Sequence, residues 1–156
     1  MKTFFFLLIS LSFMPGAFAE DCFERYARLK GLDADLLRAI ACVESSGNPK
    51  AVGKNASSED LGLMQINSTW VKRFNTSRSE LLNDVCRNIE IASEILSDNF
   101  SRIQNPWEAV GAYNASCTRL KGQACEEVRK RYAWKVYRAY QSMNDAKREK
   151  LGEAAS

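Results

Sequence analysis

The sequence contains no histidine, and this absence removes several classes of enzyme. Without an imidazole, neither a Ser-His-Asp triad nor a Cys-His nucleophilic pair can form, and a metal hydrolase with histidine ligands is excluded as well. Proton transfer then falls first to aspartate and glutamate, with tyrosine, lysine or a thiol behind them. We therefore search the acidic residues for a catalytic group, and we expect no metal site and no cofactor.

The sequence also lacks the C-x-x-C spacing of many zinc and redox sites. Its five cysteines are Cys22, Cys42, Cys86, Cys117 and Cys125. Zinc would need a nearly all-thiolate site at unusual spacings, which the sequence does not favour. In an oxidising compartment, five cysteines predict two disulfides with one thiol left over, or an intermolecular pair.

Long apolar runs are scarce, and the one that is present lies at the N-terminus. Lys2 precedes an apolar stretch over 3–13, and Ala17-Phe18-Ala19 forms an A-x-A cleavage site. The alternative is a membrane anchor, but the run is well short of the roughly 20 residues that a bilayer span needs. We predict an export signal over 1–19, cleaved after Ala19, and no stable membrane anchor.

The remaining chain is long enough for one domain with one core. Its net charge of +3 gives no indication of a nucleic-acid partner, and we expect none. Periodicity predicts helices over about 20–30, 34–45, 68–74, 83–99, 105–113 and 125–141. Turn residues fill 46–60, and charged and small residues fill 142–156. The pattern indicates a mainly α, α+β single domain over 20–141, with a small β or irregular insertion and a flexible C-terminal tail.

Glu44 stands out among the acidic residues because it closes an apolar row. It follows Leu37 and Ala41 on one side of the helix that Asp33 caps. The C-terminal end of a helix dipole disfavours a negative charge, and apolar neighbours remove water from the carboxylate. Both effects raise the pKa, as a general acid requires. The alternative is an exposed glutamate at a fraying helix end.

The surrounding motifs decide between these alternatives. They occur in the order Ala39-Ile40 to Glu44-Ser45 with Asn48-Pro49, then Gly62-Leu63-Met64-Gln65-Ile66-Asn67, then Ala112-Tyr113-Asn114-Ala115, and finally Tyr132 with Val136. Together they resemble the SLT-type lytic transglycosylases, which have a lysozyme-like fold, and especially the small members associated with secretion and conjugation systems. The resemblance extends from about Cys22 to Tyr140.

The resemblance implies that Glu44 is the catalytic acid and base of peptidoglycan cleavage in the periplasm. Glu44 would protonate the oxygen between N-acetylmuramic acid and N-acetylglucosamine and then accept the C6 hydroxyl proton, which leaves a 1,6-anhydro product. Candidate substrate-binding or orienting residues are Ser45, Gln65, Tyr113, Asn114 and Tyr132. The resemblance also implies glycan strands as substrate, a protein partner from an envelope-spanning secretion or conjugation system, and a monomer.

Asp60 leaves a second mechanism open. It precedes the Gly62 motif, where lysozyme-like folds can place a second carboxylate that supports an oxocarbenium-like state or positions a nucleophile. A hydrolytic muramidase that uses Glu44 and Asp60 is therefore the first alternative, and a non-catalytic glycan-binding scaffold is the second. Asp60 could equally be an ordinary loop residue.

The cysteines and tryptophans complete the predictions. By the resemblance, Cys22 pairs with Cys86. Ser116-Cys117 stands where the family has a glycine, which favours a local bridge from Cys117 to Cys125. Cys42 is then left over, and we expect a buried, inert thiol. Trp70, Trp107 and Trp134 are interpreted as core residues rather than sugar platforms.

Overall fold

The computed structural model describes residues 16–117 and 121–154, with side-chain environments from residue 22 onwards. Residues 1–15, which make up most of the proposed export signal, lie outside the described residues. The described helices are α1 (Gly16–Lys30), α2 (Ala34–Ser45), α3 (Arg78–Asn83), α4 (Val85–Arg102), α5 (Pro106–Asn114) and α6 (Gly122–Ala154). A single 3-10 turn spans Ser68–Trp70.

The predicted insertion is a small antiparallel sheet. Its strands are β1 (Val52–Lys54), β2 (Glu59–Leu61) and β3 (Ile66–Asn67), and β2 lies in the middle. In the register, Asp60 stands opposite Gly53 on one side and opposite Asn67 on the other. The sheet thus places Asp60 at the centre of the insertion.

Side-chain caps fix where the two central helices begin. The Asp33 carboxylate accepts hydrogen bonds from the backbone N–H groups of Asp35 and Leu36 at the start of α2. Asn105 caps α5 in the same way, and Pro106 occupies the first turn, where its missing N–H costs nothing. Both helix starts agree with the sequence prediction.

The core lies where α2 meets α1 and α6, and where α4 packs on α1 and α5. Leu37 and Ile40 of α2 are fully buried, as are Ile89 and Leu96 of α4 and Val136 of α6. The structure is therefore the mainly α, lysozyme-like α+β domain that the sequence predicts. A bond between Cys22 and Cys86 joins α1 to α4, and another between Cys117 and Cys125 links the ends of α5 and α6.

The structure departs from the sequence predictions at four points. The last helix continues past Gln141 to Ala154, and Met143 packs against the core on the way. A separate short helix, α3, precedes α4. Cys42 is exposed rather than buried, because the apolar row of α2 faces the core and Cys42 lies on its solvent side. The interpretation of Trp107 and Trp134 as core residues is also wrong, since 37% and 58% of their surfaces are exposed.

Candidate active site

Glu44 lies in the last turn of α2, where the helix ends in a left-handed cap. Ser46 has φ +54° and donates its backbone N–H to the carbonyls of Ala41 and Cys42, and Gly47 follows with φ +80°. The Ser45 hydroxyl donates to the Leu63 carbonyl at 2.7 Å. This hydrogen bond fastens the end of α2 to the loop between β2 and β3, next to Glu44.

The pKa of Glu44 is raised from 4.5 to about 7, chiefly because the buried carboxylate loses water. The negative charge of Asp60 contributes in the same direction, whereas the hydrogen bond from Tyr132 and the positive charge of Lys135 lower the pKa. The apolar setting that the sequence predicts is therefore present around Glu44. A carboxyl group with this pKa carries a proton for much of the time near neutral pH, as a general acid must.

Two tyrosines approach this site, one from α6, which packs on α2, and one from α5. The Tyr132 hydroxyl of α6 donates to Glu44 Oε1 at 2.5 Å. The Tyr113 hydroxyl of α5 donates instead to the Met64 carbonyl at 2.9 Å. Burial and then the charge of Glu44 raise the pKa of both phenols, so both hydroxyls keep their protons near neutral pH. Tyr132 thus orients Glu44 directly, while Tyr113 holds the backbone beside it.

Asp60 is held by two amide donors. Asn67 Nδ2 donates to Asp60 Oδ1 at 2.7 Å, and Asn55 Nδ2 donates to Asp60 Oδ2 at 2.8 Å. Each carboxylate oxygen therefore has a fixed partner, and the side chain cannot rotate without breaking one of the bonds. Asp60 is also close enough to Glu44 and Tyr113 for its charge to raise the pKa of both.

Gly53 lets the neighbouring strand approach this carboxylate closely. A Cβ atom added at Gly53 would stand 2.9 Å from Gln65 Oε1 and 3.6 Å from Asp60 Oδ2. The first distance is too short for ordinary packing, so a side chain here would displace the Gln65 amide. The absence of a side chain at Gly53 thus keeps Gln65 and Asp60 side by side.

A buried asparagine of α4 fixes the backbone of the Gly62 motif. Asn88 of α4 accepts the Met64 N–H at 2.8 Å and donates to the carbonyls of Leu61 and Leu81 at 2.9 and 3.0 Å. Gly62 has φ +77°, and a Cβ there would lie 2.4 Å from Asn88 Nδ2. The glycine is therefore required by its backbone conformation and by this close contact with α4.

The remaining candidate residues have different surroundings. Gln65 Nε2 donates to the carbonyls of Gly62 and Ala51 at 2.8 and 3.2 Å, so its amide nitrogen supports the loop. Asn114 ends α5 and is exposed. The structure brings Asp60, Tyr113 and Tyr132 within electrostatic reach of Glu44. Ser45 and Gln65 form the supporting loop contacts.

Sequence reasoning missed Asn55 and Asn67 as partners of Asp60. Asn67 belongs to the quoted Gly62 motif, but its role depends on the pairing of β2 with β3, which places Asn67 opposite Asp60. Asn55 lies in the turn between β1 and β2, where turn chemistry alone explains an asparagine. Alternation of polar and apolar residues over 52–67 was the sequence signal that could have indicated these strands. The strands are too short for that alternation to be recognised.

Within 16–117 and 121–154, no helix combines the length and apolar character needed to cross a bilayer. Over the same ranges, acidic residues and cysteines nowhere gather in threes with the geometry of a metal site.

Comparison with known proteins gives one consistent result. Residues 21–137 match the family model described as the transglycosylase SLT domain. The invasion protein IagB of Salmonella typhi is 37% identical over 160 residues, which covers 100% of this chain and 97% of the relative. The protein IpgF of Shigella flexneri is 34% identical over 139 residues, covering 86% of this chain and 89% of the relative. A peptidoglycan-binding-like protein of Escherichia coli O157:H7 is 33% identical over 152 residues, with 89% and 85% covered.

The family match includes every element that positions Glu44, from α2 through the sheet to Tyr132 of α6. The relatives align along most of this chain at more than 30% identity. The chain belongs to the family of SLT-type lytic transglycosylases.

Proposed function

We propose that the chain cleaves the bond between N-acetylmuramic acid and N-acetylglucosamine in peptidoglycan and leaves a 1,6-anhydro end. Protonated Glu44 donates its proton to the bridging oxygen, and the substrate's own N-acetyl group stabilises the positive charge that develops at the anomeric carbon. The Glu44 carboxylate then accepts the proton of the C6 hydroxyl, and the C6 oxygen bonds to the anomeric carbon. No water is consumed.

One observation carries this proposal. Glu44 is half-buried with a pKa of about 7, and Tyr132 holds one of its oxygens at 2.5 Å. Such a group can serve as acid and then as base within one cycle, since both protonation states are accessible near neutral pH. Substrate-assisted glycosidases need only one enzyme carboxyl group of this kind.

The position of Asp60 supports hydrolysis as a second candidate outcome. Its two oxygens are fixed by Asn55 and Asn67, and its charge acts on Glu44. A carboxylate held in this way could stabilise an oxocarbenium-like state or position a nucleophile, as in a two-carboxylate glycosidase. In that case water, rather than the C6 hydroxyl, completes the reaction.

Product analysis separates the two outcomes. Purified wall glycan is digested with the wild type, Glu44→Gln and Asp60→Asn, and the fragments are identified by mass spectrometry. Anhydro ends with the wild type and with Asp60→Asn support the transglycosylase reaction through Glu44 alone. Reducing ends that disappear in Asp60→Asn support the hydrolase.

The Glu44→Gln variant tests catalysis itself. Because glutamine has nearly the same shape and cannot donate the proton, we expect cleavage to fall by at least about a hundredfold, the contribution of a general acid. Full cleavage by Glu44→Gln would remove Glu44 from its proposed role. An absence of cleavage by the wild type, with binding to the glycan retained, would support a non-catalytic scaffold.

We further propose that the enzyme works in the periplasm and opens the wall locally for a secretion or conjugation apparatus. The two disulfides are typical of an oxidising compartment, and residues 1–19 have the pattern of an export signal. One matched relative is named an invasion protein, which is consistent with such a setting. Fractionation of cells that produce the chain, with N-terminal sequencing of the mature protein, tests the compartment and the cleavage after Ala19.

A further inference from the structure

An exposed aromatic surface lies on α6, away from Glu44. We use the term aromatic groove for the depression lined by Trp107 of α5 and by Glu127, Lys130, Arg131, Ala133, Trp134 and Tyr137 of α6. Trp134 is 58% exposed and Trp107 is 37% exposed. Two exposed tryptophans in one depression make an apolar patch of the kind that marks an interaction site.

The rings of the aromatic groove are held in a fixed arrangement. Tyr137 stacks on Trp134, with centroids 5.2 Å apart and an interplanar angle of 14°. Trp107 meets Tyr137 edge to face at 5.1 Å, with an angle of 85°. The three rings thus form one rigid cluster, and a ligand would not have to order them on binding.

The aromatic groove is separate from the candidate active site. Tyr132, which binds Glu44, and Trp134 are two positions apart on α6, so their side chains project about 200° apart around the helix. Tyr132 faces α2, whereas Trp134 faces solvent. A ligand in the aromatic groove would therefore leave Glu44 accessible to a glycan strand.

The lining favours a protein segment over a sugar. The walls of the aromatic groove are almost entirely apolar, with the charged groups at the rim. A sugar carries hydroxyl groups all round, and these would lose water against such walls without gaining hydrogen bonds. Apolar side chains of a protein do not meet this difficulty, and Trp, Tyr and Arg are the residues that dominate protein interfaces.

The spacing and the charges define the kind of segment. Along α6, Ala133 and Trp134 lie three and four residues after Lys130, and Tyr137 lies four and three residues after them, so these side chains share one face of the helix. Trp107 of α5 lies beside this face, which makes a groove suited to an amphipathic helix. At the rim, Lys130 and Arg131 are exposed cations. The acid of the lining, Glu127, already interacts with Arg131 and Gln123. With two cations against one acid, the rim keeps a net positive charge, which complements an acidic helix.

We propose that the aromatic groove binds an acidic amphipathic helix of a protein partner, whose apolar face packs on Trp107, Trp134 and Tyr137. This inference rests on the proposed function only in that the partner belongs to the apparatus for which the wall is opened. It does not depend on the reaction at Glu44.

The test is photo-cross-linking in cells that produce the full chain. A photoreactive Trp134→p-benzoylphenylalanine variant is compared with the same substitution at Arg148, which is exposed on a later turn of the same helix. We expect a cross-link to one other protein at position 134 and none to that protein at position 148. The cross-linked peptide, identified by mass spectrometry, should be acidic, with apolar residues at intervals of three and four.

The identified segment is then synthesised, and its affinity for purified protein is measured by calorimetry. Trp134→Ala should weaken binding by at least about tenfold, as for an aromatic anchor at an interface. Lys130→Glu should weaken it several-fold, whereas the matched Lys130→Arg should not. Wall cleavage by purified Trp134→Ala should stay at the wild-type rate, which shows that the variant is folded.

Other outcomes would overturn the proposal. One is a cross-link from position 134 to a second copy of this chain, to glycan or to lipid, and another is the absence of any cross-link there. A third is a cross-linked segment that is basic, or whose affinity for the protein is unchanged by Trp134→Ala. Cleavage by the wild type is measured without the partner. A failed cross-link with intact cleavage thus rejects the binding surface alone, and a failed cleavage assay with a specific cross-link rejects the reaction alone.

Discussion

The Glu44 carboxyl group is subject to opposing influences that together set its pKa. Burial and the charge of Asp60 favour the protonated form, while the Tyr132 hydroxyl and Lys135 favour the carboxylate. Burial has the largest effect, and the pKa settles at about 7. In the proposed reaction, the hydrogen bond from Tyr132 would both orient Glu44 and keep its proton transferable, since a carboxyl group with a much higher pKa would be a poor acid.

Replacing Tyr132 by phenylalanine should change the pH dependence of wall cleavage. Activity that needs protonated Glu44 falls as the pH rises through its pKa, and the lost hydrogen bond removes an influence that lowers this pKa. We expect the alkaline limb of the pH profile to shift to higher pH. We also expect the cleavage rate at pH 6 to fall about tenfold, as for the loss of one hydrogen bond to a charged group. Tyr137→Phe, on the outer face of α6, is the matched control. An unchanged midpoint in Tyr132→Phe would contradict the orienting role.

Glu44 should also reduce the stability of the protein at alkaline pH. Its pKa is 4.5 as an unperturbed group and about 7 when folded, so the folded state binds more protons between these values. The free energy of unfolding then falls as the pH rises through this range, and the full loss above the folded-state pKa is about 3 kcal/mol. Denaturant unfolding should find Glu44→Gln more stable than the wild type at pH 8 and nearly equal at pH 4. Glu126→Gln, an exposed acid on α6, should show no such difference.

The helices show which features local sequence can predict. The caps of α2 and α5 act within four residues, so Asp33 and Asn105 reveal both helix starts. The end of α6 depends instead on distant contacts. Lys147 forms an ion pair with Asp35 of α2 at 3.2 Å, and Met143 packs against the core. These contacts extend the helix through a charged segment that looks like a tail in sequence.

The same distinction applies to the candidate site. Glu44 could be selected from the apolar row of its own helix, and Asp60 from its place before the Gly62 motif. Their partners could not be assigned in the same way. Tyr132 reaches Glu44 across 88 residues of sequence, and Asn67 reaches Asp60 only because two short strands pair. Local pattern thus locates the acids, whereas tertiary packing sets what each acid touches.

Asn88 of α4 should be essential for the loop that carries Gln65. Asn88→Ala leaves the Met64 N–H and the carbonyls of Leu61 and Leu81 buried without this partner. Each such group costs about 1–3 kcal/mol, so we expect a loss of at least about 3 kcal/mol in the free energy of unfolding. Asn83→Ala, an exposed residue just before α4, is the control. A loss below about 1 kcal/mol would mean that water replaces the Asn88 amide.

The two disulfides constrain the whole chain to different extents. Cys22 and Cys86 are 64 residues apart and join α1 to α4, whereas Cys117 and Cys125 are 8 residues apart. In the loop-entropy account, removing the long bridge destabilises by about 4 kcal/mol and removing the short one by about 2.5 kcal/mol. Urea unfolding of the paired serine variants at each bridge measures both losses.

Cys42→Ser provides the control for these variants, because Cys42 is exposed and should contribute little to the free energy of unfolding. In the wild type under native conditions, a thiol reagent should modify Cys42 and leave the four bridged cysteines unmodified. If the short bridge costs as much to remove as the long one, loop entropy does not govern the stability. The short bridge would then stabilise the protein through the contacts that it maintains between α5 and α6. Arg129→Ala tests this explanation, because Arg129 binds Glu108 and the Ala115 carbonyl there. A loss of unfolding free energy equal to that of the short bridge would support it.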